Sequence, residues 1–465
     1  VAWLRARVRG EIILPESADY AADRDGFNPR YDPHPAAIIA PRDPAELRAC
    51  LKLAHRTGLS LVFRGGGHSF SGRSNSDGLV IDMRHFDTIA IDGTAVTVGA
   101  GCRQSALRDA LAAAGLHLPL GDSPQVAIGG FMQGGGYGHT ARLFGMNCDH
   151  VIAVTMMLAD GTTIRADATT NADLFWAVRG GAGAGLGALL DLTYRAHPAP
   201  PLAADSLAWR VHTPAERARA AEVLALIAAA YTGPSAPGTA LEALLVFGNP
   251  RHPGPWLFVD AMHRGNARGL ARALAPLRAL GPVADPGPDA TLRPGSVPAM
   301  SRQSRYLARP PAAADWLALL ALQAEGRPHH AVLYFTAHGD AIDAVPRESC
   351  AFIHRATPGL LTQDVFWSAD EAPDDALALQ SRVIAAAVPW CNGRSYQNFS
   401  NEALQGYREA YWGEAFPALL AVRRKYDPKQ FFAGPQDISR APGAQYPPPL
   451  WPPEVADALS RAIAA

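Results

Sequence analysis

The chain has 465 residues, 48% of them hydrophobic and 18% charged, which is enough for two or three ordinary globular domains. Its 42 Lys and Arg nearly cancel its 43 Asp and Glu, and no basic stripe runs along it, so the usual footprint of a nucleic-acid binder is absent. No apolar run reaches the ~18 residues that a membrane-spanning helix requires.

Helical spacing of Leu47, Cys50, Leu51 and Ala54 predicts a helix over 44–58, with Asp43 as its N-cap and Gly58 as its stop. A strand at 59–63 runs into the glycine-rich segment that starts at Arg64. Further strands are expected at 79–83, 88–91 and 95–98, then a helix at 104–114 closed by Gly115. Residues 151–158 and 162–164 read as a hairpin turned at Asp160-Gly161. After the proline-rich stretch 198–201 the texture changes. Long helices are expected at 215–230 and 267–280, interleaved with strands at 241–247, 256–262 and 331–337. The basic cluster Arg423-Arg424-Lys425 lies in a helical pattern and reads as a solvated face. Segments 285–298 and 446–453 are rich in proline and read as exposed connectors. The simplest parse has three parts: 1–204 as the first part of a binding domain, 205–394 as an inserted domain, and 395–465 returning to the first.

Cys50, Cys102, Cys148, Cys350 and Cys391 are odd in number and form no CxxC pair. That pattern speaks against a disulfide framework or zinc site and favours a reducing compartment, hence a cytoplasmic location. Secretion stays open, because a chain beginning with Val is compatible with a trimmed N-terminus.

Three glycine clusters occupy the first 190 residues: 64–72, 129–138 and 180–187. Glycine permits positive φ and close approach of the backbone, and successive N–H groups in such turns cradle phosphate oxygens. Three clusters together point to a large anionic cofactor. None is a P-loop, since no Gly-Lys-Ser/Thr follows. Gly183-x-Gly185-x-x-Ala188 is followed by a strand pattern where a dinucleotide fingerprint needs a helix. His68, beside Gly65, Gly66 and Gly67, has no second ligand at metal spacing, so no metal is expected.

These residues resemble the berberine-bridge-enzyme-like branch of the vanillyl-alcohol-oxidase type FAD-linked oxidases. Arg64-Gly-Gly-Gly-His68-Ser69 is similar to the segment whose histidine bonds the flavin 8α methyl. Residues 124–138 resemble the stretch that wraps the pyrophosphate and isoalloxazine. Residues 173–181, 351–355, Tyr396-x-Asn398-Phe399, 411–414, 425–428 and 435–438 follow in the family order. The resemblance implies an α+β fold: a two-lobed FAD-binding domain with an inserted substrate domain built on an antiparallel sheet backed by helices. It implies FAD held covalently through His68. The position at which many relatives carry a second, cysteinyl link reads Gly121-Asp122-Ser123-Pro124, so one bond is expected. Phe131 stands where relatives commonly place histidine, and Val126 where oxygen access is influenced.

The cofactor contacts implied are Arg64, Gly65, Gly66, Gly67, Ser69, Ser123, Val126, Gly129, Gly130, Gly134, Gly135, Gly136, Gly138 and Asn398. Hydride transfer to flavin N5 from an alcohol or amine needs a base, and Tyr396 and Tyr137 match positions near the reactive face. A tyrosine base needs a positive neighbour, for which His139 and Arg142 are the candidates. Substrate contacts are expected from these two, from Tyr334, Gln363 and Trp367, and from His354 or Arg355 on a presumed strand. The expected activity is an oxidase of a small, secondary-metabolite-like substrate, with O₂ giving H₂O₂. A dehydrogenase with another acceptor and a flavin-dependent cyclase remain alternatives, with a sugar oxidase less favoured.

Overall fold

Residues 2–182, 184–232, 238–247, 254–283, 298–325, 331–368, 371–434 and 436–439 are described by the computed structural model. The proline-rich connectors at 285–297 and 446–453, Gly183 of the third glycine cluster and Pro435 lie outside them.

Helix Pro44–Thr57 starts where Asp43 Oδ1 accepts the main-chain N–H groups of Ala45 and Glu46 at 2.8 and 2.9 Å. It stops at Gly58, whose φ of 69° supplies the left-handed cap. Its apolar stripe covers a four-stranded sheet made of β1 (Ile12–Ile13), β2 (Ala37–Ile39), β3 (Leu61–Arg64) and β4 (Leu79–Asp82), in the order β1-β2-β4-β3. Strands β2, β4 and β3 pair in parallel, and β2 and β4 are buried at every position, as a covered parallel sheet requires. The first glycine loop springs from the end of β3.

Strands β5 (Ile89–Asp92) and β6 (Ala95–Gly99) belong to a second, antiparallel sheet, while β7 (Leu116–His117) pairs outside it. The second sheet is completed by the hairpin β8 (Val151–Met157) and β9 (Thr163–Asp167) and by β10 (Ala188–Arg195), in the order β5-β6-β10-β8-β9. Strand β11 (His197–Pro198) pairs with β7. The 160–161 turn forms as expected, with Gly161 at φ 84°.

The third sheet has six antiparallel strands: β12 (Leu202–Arg210), β13 (Thr239–Phe247), β14 (Trp256–Arg264), β15 (Ala299–Tyr306), β16 (Ala331–Ala337) and β17 (Gly359–Trp367). Their order is β12-β14-β13-β16-β17-β15, so the sheet already begins at Leu202. Helices Pro214–Ala230, Ala313–Glu325 and Asp374–Ala387 cover one face with an apolar core. The other face turns toward the glycine loops. The chain then returns: Tyr396, Tyr411 and Trp412 pack into the same core as Val98 and Met132. The architecture is α+β.

Two expected elements differ. The helix over 267–280 is two pieces, Ala267–Ala273 and Ala275–Arg278, broken beside Pro276, which has no N–H to continue the ladder. Residues 351–355 form irregular chain in place of a strand. No helix among the described residues is long and apolar enough to cross a membrane, and the five cysteines are free.

Candidate active site

The loop after β3 is held at its root by Arg64. The buried guanidinium donates through Nε to Asp82 Oδ2 at 2.7 Å and through Nη1 to Asp23 O at 2.6 Å, so Arg64 anchors the loop. From Gly65 to Ser71 no main-chain N–H donates to a protein acceptor among the described residues. Seven free donors in a row, with Gly67 and Gly72 both at φ 70°, form a nest for an anion. Ser69 Oγ accepts from Arg73 N at 3.0 Å and closes the turn. A Cβ on Gly66 would lie 2.6 Å from Ala127 N and 2.7 Å from Gln125 O, backbone atoms that cannot yield. Gly66→Ala is therefore expected to reshape the nest; flavin absorbance per polypeptide should drop at least severalfold, and full loading would contradict this reading.

His68 stands on this loop with its ring stacked on Phe27 at 3.7 Å and 20°. Its Nε2 lies 3.0 Å from Ser123 Oγ, so the two positions that the family motifs associate with flavin tethers meet in space. Burial, reinforced by Arg302 and Arg103, pushes the imidazolium down to about 4. The ring is neutral at pH 7 and keeps a nucleophilic lone pair. Beyond it, the half-buried Val126 accepts from Gln104 N at 2.9 Å, and Gly129 N donates to Ala100 O at 2.9 Å. Gly130 is exposed and faces open space.

The segment 134–138 is stitched to the C-terminal return. Gly136 N and Tyr137 N donate to the Tyr396 hydroxyl at 3.1 and 3.0 Å, and Asn398 Nδ2 donates to it at 3.0 Å. Asn398 also donates to Phe131 O at 2.8 Å. A side chain on Gly134 would run into Asn398, one on Gly135 into Phe352, and one on Gly138 into Leu120 O. Tyr396 is only 2% exposed. Burial raises its pKa, while the three N–H donors favour the phenolate and oppose that rise. It lies beneath the glycine loop, whereas Tyr137 lines a cavity.

That cavity, about 350 Å³, opens between Tyr137 and His139 and the strands β12, β13 and β14, with Glu242 and Asp260 in its wall. Strand alternation decides which residues of the sheet face the glycine loops. The register pairs Glu242 with Thr336, Tyr334 with Thr362, and Arg302 with Asp364, which puts all six on one face. Tyr334 is thus on the cleft side, under the Arg302 guanidinium at 5.5 Å. Gln363 and Trp367 have the opposite parity. Gln363 bonds Gln323 of a covering helix, and Trp367 joins the helix-side core, which takes both out of the cleft.

The pair expected on the 351–355 strand is also placed elsewhere. His354 is buried, stacked on Tyr306 at 4.2 Å, with Nε2 2.9 Å from Gln397 Oε1. Arg355 grips Asp149 through two bonds of 2.9 and 2.5 Å. Because the segment is irregular, neither side chain is dealt to the cleft by alternation. Arg142, fully buried, donates to His338 O at 3.2 Å and Thr239 O at 3.0 Å and ties the first domain to the sheet. His139 alone of the two expected cations reaches the cavity. Glu242, Thr336 and Asp122 were absent from the sequence expectation. A glutamate inside the run Leu-Glu-Ala-Leu-Leu-Val-Phe was the available signal, since Glu is seldom buried without a partner.

Residues 35–167 match the FAD binding domain family, and residues 395–439 match the berberine and berberine-like family. Over 93% of its length the chain is 26% identical to the FAD-linked oxidoreductase YvdP of Bacillus subtilis, covering 98% of that protein. It is 27% identical to a chitooligosaccharide oxidase of Gibberella zeae, with 91% of each chain covered. The structure of Physcomitrella patens BBE-like 1 superposes with a TM-score of 0.83 at 24% identity, covering 94% of this chain and 98% of that one. The chain carries an FAD binding domain and a berberine-like segment and is an FAD-linked oxidoreductase.

The residues present in this FAD-linked oxidoreductase fit the cofactor. The nest of unpaired N–H groups from Gly65 to Ser71 suits a pyrophosphate, and the neutral His68 ring beside Ser123 suits a flavin edge. When bound, the flavin supplies a two-electron acceptor for hydride. Residues 65–71, with His68, would hold it, and the side chains of the neighbouring cavity would manage the substrate's proton.

Proposed function

We propose that this enzyme holds FAD by one covalent bond, through His68, and oxidises an alcohol or amine of a small secondary-metabolite-like molecule, passing the electrons to O₂ with release of H₂O₂. The observation that carries this reading is the meeting of His68 with Ser123 beside the N–H nest. A hydroxyl at Ser123 forms no thioether, which leaves His68 as the tether. Substrate enters the cavity beside Tyr137, which serves as the base; Tyr396 and Asn398 fix the main chain of that tyrosine. A volume of about 350 Å³ sits at the small end of ligand sites, roughly 300–1,000 Å³, and suits a compact substrate. A second reading, an oligosaccharide oxidase, is favoured by the full-length likeness to a chitooligosaccharide oxidase.

The test is anaerobic bleaching of the flavin band by cellobiose, chitobiose, benzyl alcohol and benzylamine, followed by admission of air. Faster bleaching by the alcohol or amine, with reoxidation within seconds and stoichiometric peroxide, is expected. Faster bleaching by a sugar would move the substrate class to oligosaccharides. Reoxidation over many minutes would replace the oxidase by a dehydrogenase.

A further inference from the structure

His139 is held between two carboxylates: Nε2 lies 3.0 Å from Asp122 Oδ1, and Nδ1 lies 3.2 Å from Glu242 Oε2. The carboxylates occupy opposite edges of the ring. A doubly protonated imidazole can therefore donate to both carboxylates at once. Asp122 is the outer member, its side chain 61% exposed, and Glu242 the inner one, at 14% in the cavity wall. Glu242 Oε1 accepts from Thr336 Oγ1 at 3.1 Å, and Glu242 lines the same cavity as Tyr137 and His139. A line of polar groups therefore runs from Glu242 in the cavity wall through His139 to Asp122 at the surface.

Tyr137 cannot retain a negative charge by itself. Burial, and then the Glu242 carboxylate, hold its pKa well above the usual value. A proton taken from Tyr137 must move onward. Glu242 can receive it: burial, with Asp122 and Asp260, raises the carboxyl above its ordinary range, and His139 and Thr336 oppose that rise. Burial lowers the His139 imidazolium, but Glu242, Asp122 and Asp260 together lift it above 6.5, against Arg108. Arg302 and Tyr334 complete the charged and titratable surroundings of Glu242 on the sheet face.

We propose that Glu242, in the wall of the cavity that Tyr137 lines, is the proton acceptor of the reaction, and that His139, with Asp122 acting through it, is the positioning residue that faces this carboxylate. The substrate's O–H or N–H proton passes to the Tyr137 oxygen as the Tyr137 proton passes, within the cavity they share, to a Glu242 carboxylate oxygen. The C–H bond breaks with its electron pair leaving as hydride to the flavin, and the C=O or C=N bond forms. The proposal rests on the oxidation chemistry and the Tyr137 role given above.

Two readouts on the holoenzyme separate them. In ¹⁵N-histidine NMR without substrate, His139 should carry protons on both nitrogens at pH 7, and Glu242→Gln or Asp122→Asn should move its midpoint down. A neutral His139 at pH 7 that is indifferent to both substitutions overturns the proposal, whatever the substrate panel gives. With the most active panel compound, Glu242→Gln should slow flavin bleaching by about 10²–10⁴-fold, the usual worth of a general base, and Thr336→Val should act in the same direction. His139→Gln should shift the acid limb of the bleaching rate to higher pH, because Glu242 loses the cation that opposes the rise of its pKa. Bleaching within about threefold of wild type in Glu242→Gln overturns the proposal and leaves the oxidase reading intact. Failure of every panel compound to bleach wild-type flavin counts against that reading, and the NMR result then decides the proposal alone.

Discussion

His68→Ala is expected to yield a folded protein whose flavin is released completely by acid, with bleaching by the best substrate slowed about 10- to 100-fold. Folding should survive because the ring contributes a stack on Phe27 at 3.7 Å, an edge contact with Phe70 at 5.7 Å and the bond to Ser123, together worth roughly 1–3 kcal/mol. The nest of N–H groups is main chain and does not depend on the side chain. What disappears is the tether and the electron withdrawal that an imidazole substituent exerts on the flavin ring; each tenfold loss in rate corresponds to about 1.4 kcal/mol of barrier. The same side chain predicts a pH dependence for loading. Attack on the flavin methyl requires the neutral ring, and burial lowers the His68 pKa to about 4. FAD incorporation into apoprotein should therefore be flat above pH 5 and fall as the pH approaches 4. A midpoint near 6.5 would show that the ring is solvated and contradict the burial argument.

The second large effect concerns the joint between the domains. Arg355 and Asp149 are 3% and 6% exposed and meet through two charge-assisted bonds. Asp149 also accepts Met146 N at 2.8 Å, and Arg355 donates to Ile342 O at 3.0 Å. Arg355→Ala leaves a carboxylate buried without its cation, which costs about 3–5 kcal/mol; the double change Arg355→Met with Asp149→Leu should cost much less, since it strands no charge. Urea denaturation of the three proteins measures both. The damage should extend to the cofactor. Asn147 N and Cys148 N, on the same short helix as Asp149, donate to Gly136 O and Gly135 O at 2.9 Å and hold the glycine loop in place. Lower flavin content in Arg355→Ala than in the double variant is the expected sign of that coupling.

Much of this arrangement was readable along the chain because it is local. Asp43 and Gly58 cap their helix as their side-chain chemistry dictates, the Asp160-Gly161 hairpin forms, and residues 188–195 are the strand that disqualified a dinucleotide fingerprint. His68 stood out beside its glycines, and the glycine loops are where the backbone must come close. The misplacements share one cause. Whether Gln363 or Thr362 faces the cleft depends on which face of β17 the helices cover, and that parity is set by partners 40 or more residues away, such as Gln323. Arg142 and Arg355 look like ligand-binding cations in sequence but neutralise carbonyls and a carboxylate in the joint between domains. His139 drew notice only as a neighbour of Tyr137; its significance comes from Asp122 and Glu242, brought together by the approach of the sheet to the glycine loop.

The central claim, a flavin held by one bond at His68, is tested most directly by proteolysis of the holoenzyme and mass spectrometry of its flavin-bearing peptides. The account predicts the FAD mass on the peptide containing His68, with fragmentation placing it on the imidazole, and an unmodified peptide containing Ser123. Flavin recovered only in the free fraction, or attached to any other residue, would contradict it.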